Sequence, residues 1–139
     1  MVGALNDGDG MVTTLFIVTN NPMVAARYAD YPVCQQVNYL QVLLAARDAV
    51  HQGKRLLMHP ESGSVQPGQT PYRSLLLEDV NASLDITSLE MIENALARYR
   101  HFSGTGRPLV AWTDAILRDF QLIDLGFMRQ AMEVCDKRH

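Results

Sequence analysis

Cysteine is almost missing from this chain: Cys34 and Cys135 are the two it has in 139 residues. They stand far apart and in no metal-like spacing, which argues against a disulfide framework and a zinc site and leaves both to pack as small apolar groups. A surplus of positive charge is missing too. The net charge is -3 and the pI is near 5.7, so nothing draws the chain toward polyanions, and the pairs Lys54-Arg55 and Lys137-Arg138 are isolated. No nucleic-acid partner is expected. No apolar run approaches the roughly 20 residues that span a bilayer, and no basic segment opens the chain. A cytoplasmic protein without membrane contact is therefore expected.

Several chemical signatures are absent as well. His51, His59, His101 and His139 fall on separate segments, so no metal-ligand set is evident. No Gly-Lys-Ser/Thr phosphate loop and no Gly-x-Ser-x-Gly nucleophile elbow occurs. No cofactor is expected.

Hydrophobic residues make up 47% of the chain and charged residues 19%, near the averages of globular domains. A chain of this length buries roughly two thirds of its unfolded surface around one core. Residues 1–11 mix Gly, Asp and Asn without periodicity and are expected as a loose tail, which leaves residues 12–139 as a single α/β domain. Leu15, Phe16, Ile17 and Val18 form a continuous apolar run, the pattern of a strand buried on both faces. Further strands are expected over residues 33–37, 55–58 and 74–77.

Helices are signposted between them. Asn21 followed by Pro22 suits an N-cap with proline at the first helical position, opening a short helix to about Tyr28. Tyr39, Leu43, Ala46 and Val50 recur at helical spacing until Gly53 stops them. Thr87 and Glu90 have capping-box spacing before Leu89, Ile92, Leu96 and Tyr99. Ile116, Phe120, Ile123 and Phe127 mark a C-terminal helix whose apolar stripe is most simply core, and Gly126 is a point where it could bend. Asp114, Arg118, Asp119, Asp124 and Arg129 are expected on its solvated face. Strands alternating with helices predict right-handed crossovers and a three-layer α/β/α sandwich around a mainly parallel sheet of about four strands.

In such sheets ligands bind beyond the carboxyl ends of the strands, and two polar segments should emerge there. The first is residues 19–22, where Thr19, Asn20 and Asn21 offer a hydroxyl and two carboxamides at a helix start, or where Asn21 only caps its helix. The second is residues 59–73. It carries His59, Ser62, Gly63, Ser64, Thr70, Tyr72 and Arg73, and Pro60, Pro67 and Pro71 restrict its freedom. Ser62-Gly63-Ser64 can turn successive N-H groups toward an anion, and Arg73 can hold a carboxylate or phosphate. His59 is the candidate acid or base, with a structural role as the competing reading.

Residues 19–22, the Arg47-Asp48 and His51-Gln52-Gly53 end of the second helix, and the loop from His59-Pro60 to Tyr72 together resemble the GrdX family. The likeness extends through Ile92-Glu93-Asn94-Ala95 and the stretch from Asp119 to Asp124. The resemblance implies a small bacterial protein associated with the glycine, sarcosine and betaine reductase systems of amino-acid-fermenting anaerobes, with proteins of that system as partners. It supplies no catalytic residue or cofactor. The family loop commonly carries an apolar residue, Lys, Asn and Glu where this chain has Glu61, Gln66, Gly68 and Gln69. One positive charge is thereby lost, which should weaken anion binding or change the ligand.

Three functions follow as expectations. The leading one is an accessory protein whose two loops recognise a small carboxylate or phosphate ligand or a partner's terminus. The second is a small hydrolase- or transferase-like enzyme using His59 with Ser62 or Ser64. The third is an assembly protein acting through the C-terminal helix, which is long enough to pack against a second copy of the chain as a homodimer.

Overall fold

The computed structural model of the protein describes residues 4–6, 12–61, 70–80, 83–102 and 112–138. In chain order the elements are β1 (Ala4–Asn6), β2 (Val12–Thr19), α1 (Pro22–Arg27), β3 (Val33–Gln35), α2 (Tyr39–His51), β4 (Lys54–Leu56), β5 (Ser74–Asp79), α3 (Ile86–Phe102) and α4 (Asp114–Arg138). Part of the stretch expected as a loose tail is thus a strand.

Among the described residues, five strands form one sheet with β2 at its centre. Along one side of β2, β1 pairs antiparallel with the first half and β3 parallel with the last three residues. Along the other side β5 runs antiparallel over six residue pairs, from Thr14 opposite Asp79 to Thr19 opposite Ser74. Beyond it, β4 is antiparallel to β5. The sheet is mixed, which corrects the mainly parallel sheet of about four strands expected from sequence. The apolar runs of β2 and β5 report burial on both faces and carry no information on direction. A parallel neighbour needs a crossover, which α1 supplies between β2 and β3. The sequence from Leu56 to Ser74 has no helical periodicity, and β4 and β5 pair antiparallel.

Side chains along the central strands alternate between two buried clusters. Leu15, Ile17 and Leu76 pack with Val24 and Tyr28 of the α1 region and with Met128, Met132 and Cys135 of α4. Val18, Leu75 and Leu77 pack with Tyr39, Val42, Leu43, Ala46 and Val50 of α2 and with Ile92, Ala95 and Leu96 of α3. Each such side chain taken from water contributes about 1.5–3 kcal/mol before chain entropy opposes it. Cys34 packs half-buried against the second cluster.

The caps follow the side chains. Asn21 accepts from the Met23 N-H with Pro22 at the first turn, as expected, and Asn38 accepts from the Gln41 N-H. Gly53 takes φ 98° just past α2, a conformation glycine adopts without strain. The α3 cap is corrected: Asp85, not Thr87, accepts from the N-H and the hydroxyl of Ser88. The Ser88 hydroxyl accepts in turn from the Leu56 N-H, tying the helix start to β4.

Helix α4 departs most from expectation. Its core face carries Asp124, Met128, Met132 and Cys135. Ile116, Phe120, Ile123 and Phe127 lie to one side of that face; Ile116 and Ile123 are exposed and the two phenylalanines half-buried. Two apolar stripes share one helix, and the regular one is not the one the sheet covers.

Candidate functional site

Three chain segments meet at one end of the sheet. Strand β2 ends at Thr19, β5 starts opposite it at Ser74, and the chain leaving β4 arrives alongside, with the Leu57 N-H bonded to the Leu76 carbonyl. Asn20 donates from Nδ2 to the Pro71 carbonyl at 2.8 Å and accepts at Oδ1 from the Arg73 N-H at 2.9 Å. Residues 19–22 and the end of the 59–73 loop therefore face each other. Both segments leave the carboxyl ends of their strands as expected, because β4 points the same way as β2, and the antiparallel β5 starts at that same edge.

Behind this contact lies a buried polar junction. Asp124 is 4% exposed and accepts from the Ser74 N-H (3.0 Å, Oδ1), the Ser74 hydroxyl (2.5 Å, Oδ2) and Asn21 Nδ2 (3.0 Å, Oδ2). Asn21 Nδ2 also donates to the Gln121 carbonyl. The hydroxyls of Thr19 and Ser74 are 2.6 Å apart, and Thr19 Oγ1 accepts from the Asn21 N-H. A hydroxyl has one proton to give. Ser74 gives its proton to Asp124, so Thr19 gives its own to Ser74, and the bonds run in one direction from Asn21 through Thr19 and Ser74 to Asp124. Asp124, expected on a solvated face, instead pins α4 to the ends of β2 and β5.

Next to the junction a small, largely apolar pocket is lined by Thr70, Tyr72, Arg73, Phe120, Ile123, Asp124 and Phe127. Arg73 is 2% exposed, and its guanidinium lies 5.5 Å from the centre of the Tyr39 ring. Tyr39 stacks in turn on Tyr99, with ring centres 5.4 Å apart. Burial pushes the Tyr39 hydroxyl above the usual tyrosine value, and the charge of Arg73 and its hydrogen bond to Tyr39 partly offset that. On the other wall the Tyr72 hydroxyl accepts from Gln121 Nε2 at 2.8 Å, which fixes the 70–74 segment against α4. The side chain of Thr70 is buried, its hydroxyl 3.5 Å from the Tyr72 carbonyl.

His59 stands at the same end of the sheet with its side chain exposed, and its Nδ1 accepts from the Glu61 N-H at 3.0 Å. Glu61 pairs with Arg98 of α3 at 2.7 Å. Ser62, Gly63 and Ser64 lie outside the described residues. Among the described residues no group of three His, Cys, Asp or Glu side chains is placed to hold a metal ion, and no helix is long and apolar enough to cross a membrane.

The structure thus brings Thr19, Asn20 and Asn21 together with Thr70, Tyr72 and Arg73. It adds Asp124, Gln121, Tyr39, Phe120, Ile123 and Phe127, which sequence reasoning had not placed at the site. One signal for Asp124 was available. It stands at helical spacing from Leu117 and Met128, and an acid on the apolar face of a helix needs a polar partner inside the fold.

Comparison with curated proteins and with solved structures gives no match. A family model described as GrdX-like protein matches residues 16–133, a span that holds both facing segments, the junction and the pocket. The chain belongs to the GrdX-like protein family.

Proposed function

We propose that this protein is a cytoplasmic accessory protein of the glycine, sarcosine and betaine reductase type of system, and that it binds a small carboxylate or phosphate ligand in the pocket between residues 70–74 and α4. The observation that carries this reading is Arg73, which is 2% exposed and is one of the residues that line that pocket. A buried arginine beside a pocket supplies positive charge that favours an anion bound there. Thr70 adds a buried hydroxyl in the same wall.

A binding role is favoured over chemistry by the directions of the hydrogen bonds. The Ser74 and Thr19 hydroxyls point into the junction. The His59 Nδ1 is engaged by its own loop. A single domain in three layers suits this role, because the two core clusters on opposite faces of the sheet give the pocket a rigid back wall.

A thermal-shift screen of small carboxylates and phosphates, on the natural protein and on Ile123→Trp, tests the reading. Ile123 lines the pocket and is 53% exposed, so a larger side chain there fills the pocket without entering the core. A ligand at 100 times its dissociation constant should add about 2.7 kcal/mol of stability. The expected result is a shift for at least one anion that Ile123→Trp loses. A flat screen, or a shift that the tryptophan leaves intact, overturns it.

A further inference from the structure

A second cleft, of about 340 Å³, lies between the end of α1, the turn after it and the C-terminal half of α4. Its floor is made by Tyr28 and Met132, 8% and 7% exposed, both part of the cluster that holds α4 to the sheet. Charged side chains stand around that floor: Arg27 and Asp30 on one side, Arg129, Glu133 and Asp136 on the other. All five are exposed, and among the described residues no ion pair joins any of them. Charges of both signs thus line one cleft without neutralising each other in pairs.

The fold sorts these charges by sign along the cleft. Asn21, at the start of α1, is bonded to Gln121 and Asp124 of α4, and Tyr28, just past the end of α1, meets Met132 in the floor, so the two helices run the same way. Arg27 and Arg129 therefore stand at one end, and Asp30 and Asp136 at the other. On α4 the residues Arg129, Met132, Glu133 and Asp136 follow at i, i+3, i+4 and i+7 on one face, which puts Asp136 about 10 Å beyond Arg129 along the axis. At the basic end the Arg27 guanidinium lies 5.6 Å from the centre of the Tyr28 ring. Burial pushes the Tyr28 hydroxyl above the usual tyrosine value, and the charges of Arg27 and Arg129 both act against that. A polyproline-type chain has three residues per turn and rises about 3.1 Å per residue, so side chains three apart project to the same side roughly 9 Å from each other. Tyrosine, arginine and methionine are also the residues enriched where proteins meet. We propose that the cleft docks an extended segment of a partner protein, with an acidic side chain at Arg27 and Arg129 and a basic one, three residues away, at Asp30 and Asp136. This site is separate from the pocket beside Arg73 and stands or falls independently of it.

A nuclear magnetic resonance titration of the isotope-labelled full chain with two acetylated, amidated tetrapeptides, Glu-Pro-Pro-Lys and Lys-Pro-Pro-Glu, tests this. The prolines hold the extended conformation, and the two orders cover both chain directions. At least one peptide is expected to give saturable shifts at the amides of residues 27–31 and 129–136. Replacing either of its charged residues by glutamine should weaken binding about threefold or more, the scale of an exposed ion pair. Arg129→Glu, at an exposed position, should abolish the binding and leave the circular dichroism spectrum unchanged. No shift with either peptide at millimolar concentration overturns the proposal, as do shifts that lie outside the cleft. Equal binding by Gln-Pro-Pro-Gln, or binding that survives Arg129→Glu, overturns it as well.

Discussion

Asp124 concentrates more of this structure's logic than any other single residue. It receives two hydrogen bonds from Ser74 and one from Asn21, all inside the protein. Removing it leaves the Ser74 N-H and hydroxyl without their acceptor, and a buried donor left unsatisfied costs more than the bond itself was worth. Asp124→Ala should lower stability by about 3 kcal/mol in urea unfolding, a loss typical of breaking a buried network. A loss within the scatter of ordinary surface substitutions would show that the junction is not structural. A second carboxylate sets a pH dependence. The Ser88 hydroxyl, and with it the Ser88 N-H, holds the Asp85 carboxyl below its ordinary value. A depressed folded value means that the contribution is present above the unfolded value, about pH 4, and is lost as pH falls through the folded one. The stability gap between the natural protein and Asp85→Ala should therefore be widest near neutral pH and narrow below about pH 4. A gap that stays constant to low pH would mean that Asp85 caps α3 without its charge. At this scale Asn21 was legible, because an Asn-Pro pair before an apolar segment has one geometric solution. Asp124 was not read, because its partners are separated from it by 50 and 103 residues.

Helix α4 shows how an element can be right in kind and wrong in orientation. Ile116, Phe120, Ile123 and Phe127 recur with the regularity that marks a core-facing stripe, yet the sheet takes the face carrying Asp124, Met128, Met132 and Cys135. Periodicity detects an apolar stripe, and it does not tell which of two stripes the fold will cover. Met128→Ala should cost about 2–4 kcal/mol, as for a buried methionine truncated in a closed core, whereas Ile123→Ala should cost less than about 1 kcal/mol. Equal losses would contradict the orientation of α4. Gly126 sits in the middle of the same helix, and a Cβ built on it would meet nothing within 4 Å. Gly126→Ala should therefore stabilise the protein by about 0.5–1 kcal/mol, seen as a raised Tm, because alanine loses less backbone freedom in a helix. A lowered Tm would mean that this glycine serves a contact the isolated chain does not make.

For the whole molecule, the mixed sheet decides where the site lies. Since β5 runs against β2, the start of one strand meets the end of the other, and residues 19–22 and 70–74 are joined by Asn20 through both its amide and its carbonyl. The meeting of these segments was legible as a grouping of polar loops around apolar strands. The direction of β5 was not, since a run buried on both faces has the same composition whichever way it points. The pocket wall from α4 was also hidden, because it depends on which face that helix turns inward. The central claim is that a small carboxylate enters the pocket beside Arg73. A nuclear magnetic resonance titration of the isotope-labelled protein with isocaproate, which carries a carboxylate and an apolar body, tests it most directly. The account predicts saturable shifts at the amides of Tyr72, Arg73, Ser74, Ile123, Asp124 and Phe127; an unchanged spectrum, or shifts confined to the cleft lined by Arg27, Tyr31 and Arg129, would contradict it.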